Sequence, residues 1–598
     1  MSVISLHYHK TFRDEVKGAI PIFLASSLRN KAFGDKPNLS TFGKLRNSLA
    51  FSTWLSRVEK AHSAKAMKTD SSAISMRSPW TILVLVVLVL GVFFRLGNLE
   101  GKVFWVDEAF TAFRVSGYTE AEVVQVWAEN PQTTAGELAQ YQFPNAERSV
   151  VGTVRGLATA EPQLPPLYFV LTRWWVMLFG DSVAVMRSFG AIASIATLPL
   201  LVLLCRELFP APVTAYIAVC LMAVSPFQVI YAQEARPYSL WTLLTVVACW
   251  ALLRALRCNR WGDWAVYGLV LTLSFYTFLY TLFVAIAHGM FVGWQHRARL
   301  TAFALSLGGA LLAFVPWMVA IALHWQRGLE LASWQRQPLP QGYLALPLAW
   351  ALHITRNFLD FDQPYGFGLD RLFPYGLVVL AVLIGVGYAV VQCRKTAPPE
   401  TWRFLILLLV VPALGVILPD LLTGGQQSIV SRYFVPCWIA LILMVAHAFA
   451  EALSERLGRL ALAGLLTLST LSCATSTLAS TWWNKEGGYI PYVANEINQT
   501  ENPLVVTVSD WWLFSLAHDL RPETPLLIIT GLNDGLAIPA GFSDYFLYSA
   551  PPALVETLAQ QGVQLATFEQ LDRVPIWCMA LPGEALTACP PTAQTATP

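Results

Sequence analysis

Charge is what this sequence lacks most. Only 13% of its 598 residues are Asp, Glu, Lys or Arg, against about 25% in an average soluble domain. With 55% hydrophobic residues and a mean hydropathy of +0.51, a water-soluble chain would expose large apolar patches, so lipid is the expected solvent. The formal net charge is +2. There is no basic excess to neutralise phosphates along a nucleic acid, and no nucleic-acid partner is expected. No glycine loop has the pattern that a nucleotide-sugar or ATP site needs. Seven of the nine cysteines show no metal-ligand spacing. Cys205, Cys220, Cys249, Cys258, Cys393, Cys437 and Cys473 lie in or beside apolar stretches and read as small buried hydrophobes. Cys578 and Cys589 stand in a polar region and can form a disulfide if it lies outside the cytoplasm. An early apolar run is also missing. None begins before Trp80, so no cleavable signal peptide is read.

Apolar runs of membrane-spanning character fill the middle of the chain. A span needs about 20 apolar residues, and eleven candidates occur: Trp80–Arg95, Ala184–Leu204, Val213–Phe227, Leu240–Leu256, Trp264–Tyr280, Leu282–Trp294, Thr301–Leu323, Phe373–Val391, Phe404–Leu418, Phe434–Phe449 and Leu460–Ala479. Residues 1–78 carry thirteen Lys and Arg against five Asp and Glu, show little periodicity and read as a disordered cytoplasmic segment. With that end inside, each inner loop is basic: Arg206; Arg254, Arg257 and Arg260; Arg297 and Arg299; Arg394, Lys395 and Arg403; Arg456 and Arg459. The parity requires that Leu164–Phe179, with Arg173, Trp174 and Trp175, lie at the outer surface without crossing. The expected fold is an all-α polytopic membrane protein of about eleven transmembrane helices over 79–480, with a long outer loop at 96–183. A small α/β extracytoplasmic domain is expected at 481–598, from strand patterns at Pro503–Ser509, Pro525–Thr530 and Asp544–Ser549 and a helix at Pro552–Gln561. The expected location is the cell membrane.

Three polar clusters fall on the outer side, where ionisable groups at a membrane face are expensive and functional by default. Asp107-Glu108 follows the first span. A carboxylate there acts as a general base, binds a divalent cation, or forms part of an acid pair favoured by a helix dipole. Tyr231-Ala232-Gln233-Glu234-Ala235-Arg236-Pro237-Tyr238 lies between two spans. Arg236 offers a planar fork suited to phosphate oxygens, or forms a structural ion pair with Glu234. Ser431-Arg432-Tyr433 ends another outer connection, where Arg432 either snorkels or ligates a phosphate. His288, His324 and His447 are lone histidines with no metal spacing, and no metal site is read. Trp482-Trp483, before Asn484-Lys485, suits an interfacial anchor.

The order of these segments resembles the GT-C superfamily, in the bacterial branch related to protein O-mannosyltransferases and aminoarabinose transferases (glycosyltransferase family 39-like). The matching motifs are Asp107-Glu108, Pro165-Pro166-Leu167-Tyr168, Leu178-Phe179-Gly180-Asp181, Met186-Arg187, Gln233 through Tyr238, Ser431-Arg432-Tyr433 and Trp482-Trp483-Asn484-Lys485. The chain departs from the family's frequent pattern at Leu164 and Phe278, where relatives often carry His. The resemblance implies an inverting transfer of one sugar from a polyprenyl-phosphate donor to a protein, lipid or polysaccharide acceptor, with no cofactor required. It implies Asp107 as the base and Arg236 and Arg432 as holders of the donor phosphate. Glu108, Tyr168, Gln233, Glu234 and Tyr238 would shape the sugar or acceptor site. The competing classes are a lipid or sugar transporter, which would place charges at the bilayer midplane, and a non-catalytic scaffold, in which Asp107 and Arg236 would be replaceable.

Overall fold

The computed structural model describes residues 79–338, 345–362, 369–508, 511–531, 538–567 and 576–583. The expected disorder of residues 1–78 and the expected pairing partner Cys589 lie outside the described residues; Cys578 is disulfide-bonded. The chain divides into two compact units, Met1–Leu83 and Val84–Pro598. Of the first, only the start of a helix is described; all that follows concerns the second.

The helices in chain order are α1 (Pro79–Leu96), α2 (Val106–Ser116), α3 (Glu120–Glu129), α4 (Val150–Ala160), α5 (Leu167–Phe179), α6 (Val183–Leu208), α7 (Pro212–Ala223), α8 (Pro226–Ala232), α9 (Tyr238–Cys258) and α10 (Trp261–Phe275). They continue as α11 (Thr281–Gln295), α12 (Leu300–Leu323), α13 (Trp325–Leu331), α14 (Ala345–Arg356), α15 (Leu369–Thr396), α16 (Pro399–Thr423), α17 (Val435–Ala452), α18 (Arg456–Leu478), α19 (Ile490–Gln499), α20 (Trp511–Ala517) and α21 (Pro552–Gln560). Each of the eleven expected apolar segments holds a helix, but Val213–Phe227 is broken after Ala223 and the helix in Trp264–Tyr280 ends at Phe275. Among the described residues seven helices are long and apolar enough to cross a membrane, or eight if the bent pair α7–α8 is one span. Thr81–Leu96 and Thr281–Gln295 are shorter apolar helices. Leu167–Phe179 is another, and its Arg173 is buried, donating to the Val115 and Ser116 carbonyls at the end of α2 (2.7 and 2.8 Å).

The break between α7 and α8 bends the chain by 55°. Pro226, first residue of α8, has no N–H to continue the ladder, so carbonyls of the last turn of α7 lose their partners. Such groups must be satisfied inside a membrane protein. Arg95, wholly buried at the end of α1, donates to Ala223 O (2.5 Å), Met222 O (2.9 Å) and Ser194 Oγ (2.8 Å). Gly91 lets α1 come this close: a Cβ there would stand 2.7 Å from the Ala223 carbonyl oxygen.

Beyond the bundle lies a six-stranded sheet of order β1-β3-β2-β4-β6-β5. Its strands are β1 (Gln132–Thr134), β2 (Pro503–Val508), β3 (Pro525–Ile529), β4 (Asp544–Tyr548), β5 (Gln564–Thr567) and β6 (Ile576–Ala580). β2 pairs parallel with β3 and β4, in the register Val505 opposite Leu526 and Phe546. Successive side chains of β2 enter opposite cores, as a strand's alternation requires. Val505 joins Leu526, Phe546, Phe113, Trp127 and Leu513, while Leu504 and Val506 join Leu547, Leu554 and Leu558 beneath α21. Both faces are covered, hence the unbroken apolar run Leu504–Val506. The sheet is not made from the tail alone. β1 comes from the first loop and pairs antiparallel with β3, Gln132 opposite Leu527. Helix α2 also packs on α20, with Phe110 and Trp511 ring centroids 4.0 Å apart. The tail and the first loop therefore share one core, and no compact-unit boundary falls at residue 480.

Candidate active site

Asp107 and Glu108 occupy the first turn of α2, where a helix dipole favours acids, and Gly117 at φ 89° ends the helix. Neighbours on a helix point about 100° apart, and this separates their fates. The Asp107 side chain is 20% exposed and that of Glu108 is 0% exposed. The two carboxylates do not converge, so a shared cation between them is not what this geometry provides. Among the described residues no group of three His, Cys, Asp or Glu side chains is placed to hold a metal.

Glu108 is saturated by three different elements. Arg187 of α6 grips it bidentately, Nε to Oε1 and Nη2 to Oε2, each at 2.7 Å. Lys485 Nζ donates to Oε2, and the Ala235 backbone N–H to Oε1 at 2.9 Å. Burial opposes the Glu108 charge, but the Arg187 and Lys485 cations outweigh it and hold the carboxyl at about 2. Arg187 also donates to the carbonyls of Leu99, Lys102 and Val103 (2.6, 3.0 and 2.9 Å). Gln233 is a second strut. Its amide donates to Phe94 O and Gly97 O (both 2.6 Å), and its oxygen accepts from Lys102 Nζ (2.9 Å). Burial, with the Lys485 and Arg187 charges, pulls the Lys102 amine down to about 7. Glu108 and Gln233 thus face the scaffold rather than an open space. Sequence could not distinguish these roles, because their partners come from positions far apart in the chain.

Asp107 faces two guanidiniums. Arg432 Nη2 lies 3.2 Å from Oδ2, and Arg236 Nε 3.7 Å from the same oxygen. Arg236 Nη1 also donates to the Asp107 carbonyl (3.0 Å) and Thr111 Oγ1 (3.2 Å). Burial works against the Arg236 charge, yet Asp107 beside it keeps its pKa above the ordinary value. Tyr238 lies under both cations, with its ring centroid 5.3 Å from Arg432 Cζ and 6.0 Å from Arg236 Cζ. The Trp105 ring flanks Arg432 at 5.8 Å. Arg432 does not snorkel: 16% of its side chain is exposed, inside this cluster. Three donors here are buried without an acceptor, Arg236 Nε, Arg432 Nε and Trp105 Nε1. Unsatisfied buried donors are costly, and their convergence beside a partly open carboxylate suits an anionic ligand. Asp107 Oδ1 makes no hydrogen bond with the described residues.

Glu234 is buried next to this cluster. Its Oε2 accepts from Asn484 Nδ2 at 3.2 Å, while Oε1 and Asn484 Oδ1 have no partner. Burial raises the Glu234 carboxyl to about 7, against the pull of Lys485 and Arg432. Tyr168 is fully buried with its hydroxyl unpartnered, packed on Phe169 and Phe189. The expectation of an interfacial anchor at Trp482-Trp483 is corrected. Both indoles donate to the buried Asp360 carboxylate (2.9 and 2.6 Å), and the Arg356 guanidinium stacks 3.6 Å over Trp483. This holds the chain so that Lys485 reaches Glu108. Arg187 and Lys485, quoted only as parts of motifs, carry the support of the site. Their signal was charge inside apolar or aromatic surroundings.

Residues 163–323 match the family described as dolichyl-phosphate-mannose-protein mannosyltransferase. Among curated proteins, an undecaprenyl phosphate-alpha-4-amino-4-deoxy-L-arabinose arabinosyl transferase of Pseudomonas fluorescens is 29% identical over 315 residues, covering 49% of this chain and 52% of that protein. The Pseudomonas aeruginosa enzyme is 28% identical over 326 residues, covering 51% and 54%. The chain therefore spans about half the length of the curated relatives it matches. Solved structures that resemble it include ArnT from Cupriavidus metallidurans bound to undecaprenyl phosphate (12% identity, TM-score 0.48, covering 85% of this chain and 98% of that one). The Archaeoglobus fulgidus oligosaccharyltransferase is another (13%, TM-score 0.43, covering 75% and 64%). Over about half of its length this chain is therefore similar to glycosyltransferases named for dolichyl-phosphate and undecaprenyl-phosphate sugars.

Proposed function

We propose that this protein transfers one sugar, with inversion, from a polyprenyl-phosphate carrier to an acceptor at the extracytoplasmic face of the cell membrane. The observation that carries the reading is the Asp107 carboxylate beside Arg432 and Arg236, at 3.2 and 3.7 Å, with buried N–H groups to spare. In this reading Asp107 accepts the proton of the acceptor hydroxyl. The acceptor oxygen bonds to the anomeric carbon as the bond from that carbon to the phosphate oxygen breaks. The lipid phosphate departs with the bonding electrons, and Arg236 and Arg432 stabilise the charge it gains. Tyr238 and Trp105 fix the guanidinium planes; Tyr168 and Glu234 supply unpartnered polar atoms near the sugar. Glu108 and Gln233 act as positioning residues for α2 and for the loop carrying Arg236. The curated relatives' names, aminoarabinose transferases using undecaprenyl phosphate, support a polyprenyl donor. The basic loops at the opposite end of the bundle support a cytoplasmic placement for that end.

The test is sugar release in lipid nanodiscs from a panel of radiolabelled polyprenyl-phosphate sugars, offered with glycolipid and peptide acceptors. Time-dependent transfer with loss of labelled donor is expected. Donor that binds and is carried between leaflets without cleavage of its sugar bond would instead make the protein a transporter.

A further inference from the structure

At the far end of the same helices from the Asp107 cluster lies a cavity of about 510 Å³. Arg187 and Arg206 stand near opposite ends of α6, roughly 28 Å apart at about 1.5 Å per residue. The sugar-transfer reading uses none of the groups at the Arg206 end. The inner walls of this cavity are apolar, from Leu256, Phe291 and Phe404, and its rim is charged, from Arg206, Arg257 and His296. Two acids also reach the rim, but both are engaged. Glu207 receives Arg257 through both oxygens, at 2.8 and 2.7 Å. Glu400 is bonded to His296 at 2.8 Å. Arg206 is exposed and makes no hydrogen bond or ion pair with the described residues, so it is the uncompensated charge. The walls are fixed: Thr401 is buried and donates to the Leu208 carbonyl, tying α16 to the end of α6. Arg403 stacks on Trp294 at 5.4 Å, bracing α16 against α11.

A pocket between membrane helices with an apolar floor and an arginine rim has the amphipathic character of a phospholipid: acyl chains below, phosphate above. A guanidinium matches phosphate oxygens by its planar fork of donors. We propose that this cavity binds a phosphate group through Arg206, carried on the headgroup of an anionic membrane lipid. The site is separate from the Asp107 cluster and holds whether or not that cluster transfers sugar.

The test uses the full chain in detergent. Fluorescent phosphatidylglycerol is titrated and binding is read by anisotropy, with inorganic phosphate as competitor. Arg206→Glu is expected to weaken binding at least about fivefold, and Arg206→Lys, which keeps the charge but not the fork, to fall between that variant and the wild type. Arg297→Glu reverses an exposed charge at the same end of the bundle but outside the cavity lining, and is expected to change binding by less than about twofold. Failure of millimolar phosphate to compete identifies the lipid headgroup as the source. Competition identifies a free phosphate group and keeps the site while replacing its source. Equal losses in Arg206→Glu and Arg297→Glu would reduce the effect to general surface charge and overturn the proposal, as would no binding of either probe by the wild type.

Discussion

Two adjacent acids of one helical turn do opposite work, and single substitutions separate them. Glu108 has a carboxyl held at about 2, below its ordinary 4.5. A group depressed on folding contributes stability above its unfolded value, and that contribution is lost as pH falls through the folded one. Acidification from about pH 4.5 towards pH 2 should therefore destabilise the wild type. Glu108→Gln should lower stability at neutral pH by about 3 kcal/mol, since it leaves Arg187 and Lys485 buried without their counter-charge. It should also flatten that acid limb, as read by thermal unfolding in nanodiscs. Glu234 behaves in the reverse sense. Its carboxyl is raised to about 7 by burial, so it is neutral below that pH and ionised above it. Ionisation puts negative charge beside Asp107 and Arg432, where a donor phosphate would bind. Apparent donor affinity should fall as pH rises through about 7, and Glu234→Gln should remove that dependence. At this scale sequence reading picked out residues that the fold brings together, but not the partners that each of them meets. Asp107, Arg236, Arg432 and Tyr238 do assemble. Glu108 and Gln233 were placed in the ligand site, because a one-dimensional chain does not show that Arg187, Lys485 and Lys102 arrive to saturate them.

Among the elements, the long apolar helices were the most legible part, since about 20 apolar residues can hardly be anything else. What periodicity hid was the break between α7 and α8. Pro226 signalled it, but the partner that makes it tolerable, Arg95, sits far away on α1. Arg95→Met keeps the side chain's length and deletes the donors. It should destabilise the fold by several kcal/mol, because carbonyls freed by the break would face an apolar interior. The check is the unfolding midpoint in denaturant-titrated detergent, with little change expected in donor affinity for molecules still folded. The tryptophan pair before Lys485 was misread for a related reason. Indoles near the end of a span usually seek the headgroup level, but here Asp360 accepts both N–H groups inside the protein.

Across the whole molecule, the tail strands were readable from their short apolar runs, whereas their integration was not. β1 lies over 350 residues before β2 in sequence, and no local pattern announces so distant a pairing. The tail packs its sheet under α2, and the connection ahead of that sheet carries Lys485 to Glu108, so the tail is a support for the site rather than an appendage. A chain cut after residue 480 should fail to hold Asp107 in place. It is expected to yield aggregated or protease-sensitive protein, and the tail expressed alone should be unstable without β1 and α2. Limited proteolysis of both fragments, separately and co-expressed, checks this.

The central claim is that Asp107, beside Arg432 and Arg236, is the base of a sugar transfer. The most direct measurement compares wild type with Asp107→Asn in nanodiscs, following donor binding and single-turnover sugar release in parallel. The account predicts release slowed by at least about a hundredfold, with donor affinity equal to or tighter than wild type, because a negative charge facing the phosphate site is gone. Equal release rates in the two proteins would contradict it.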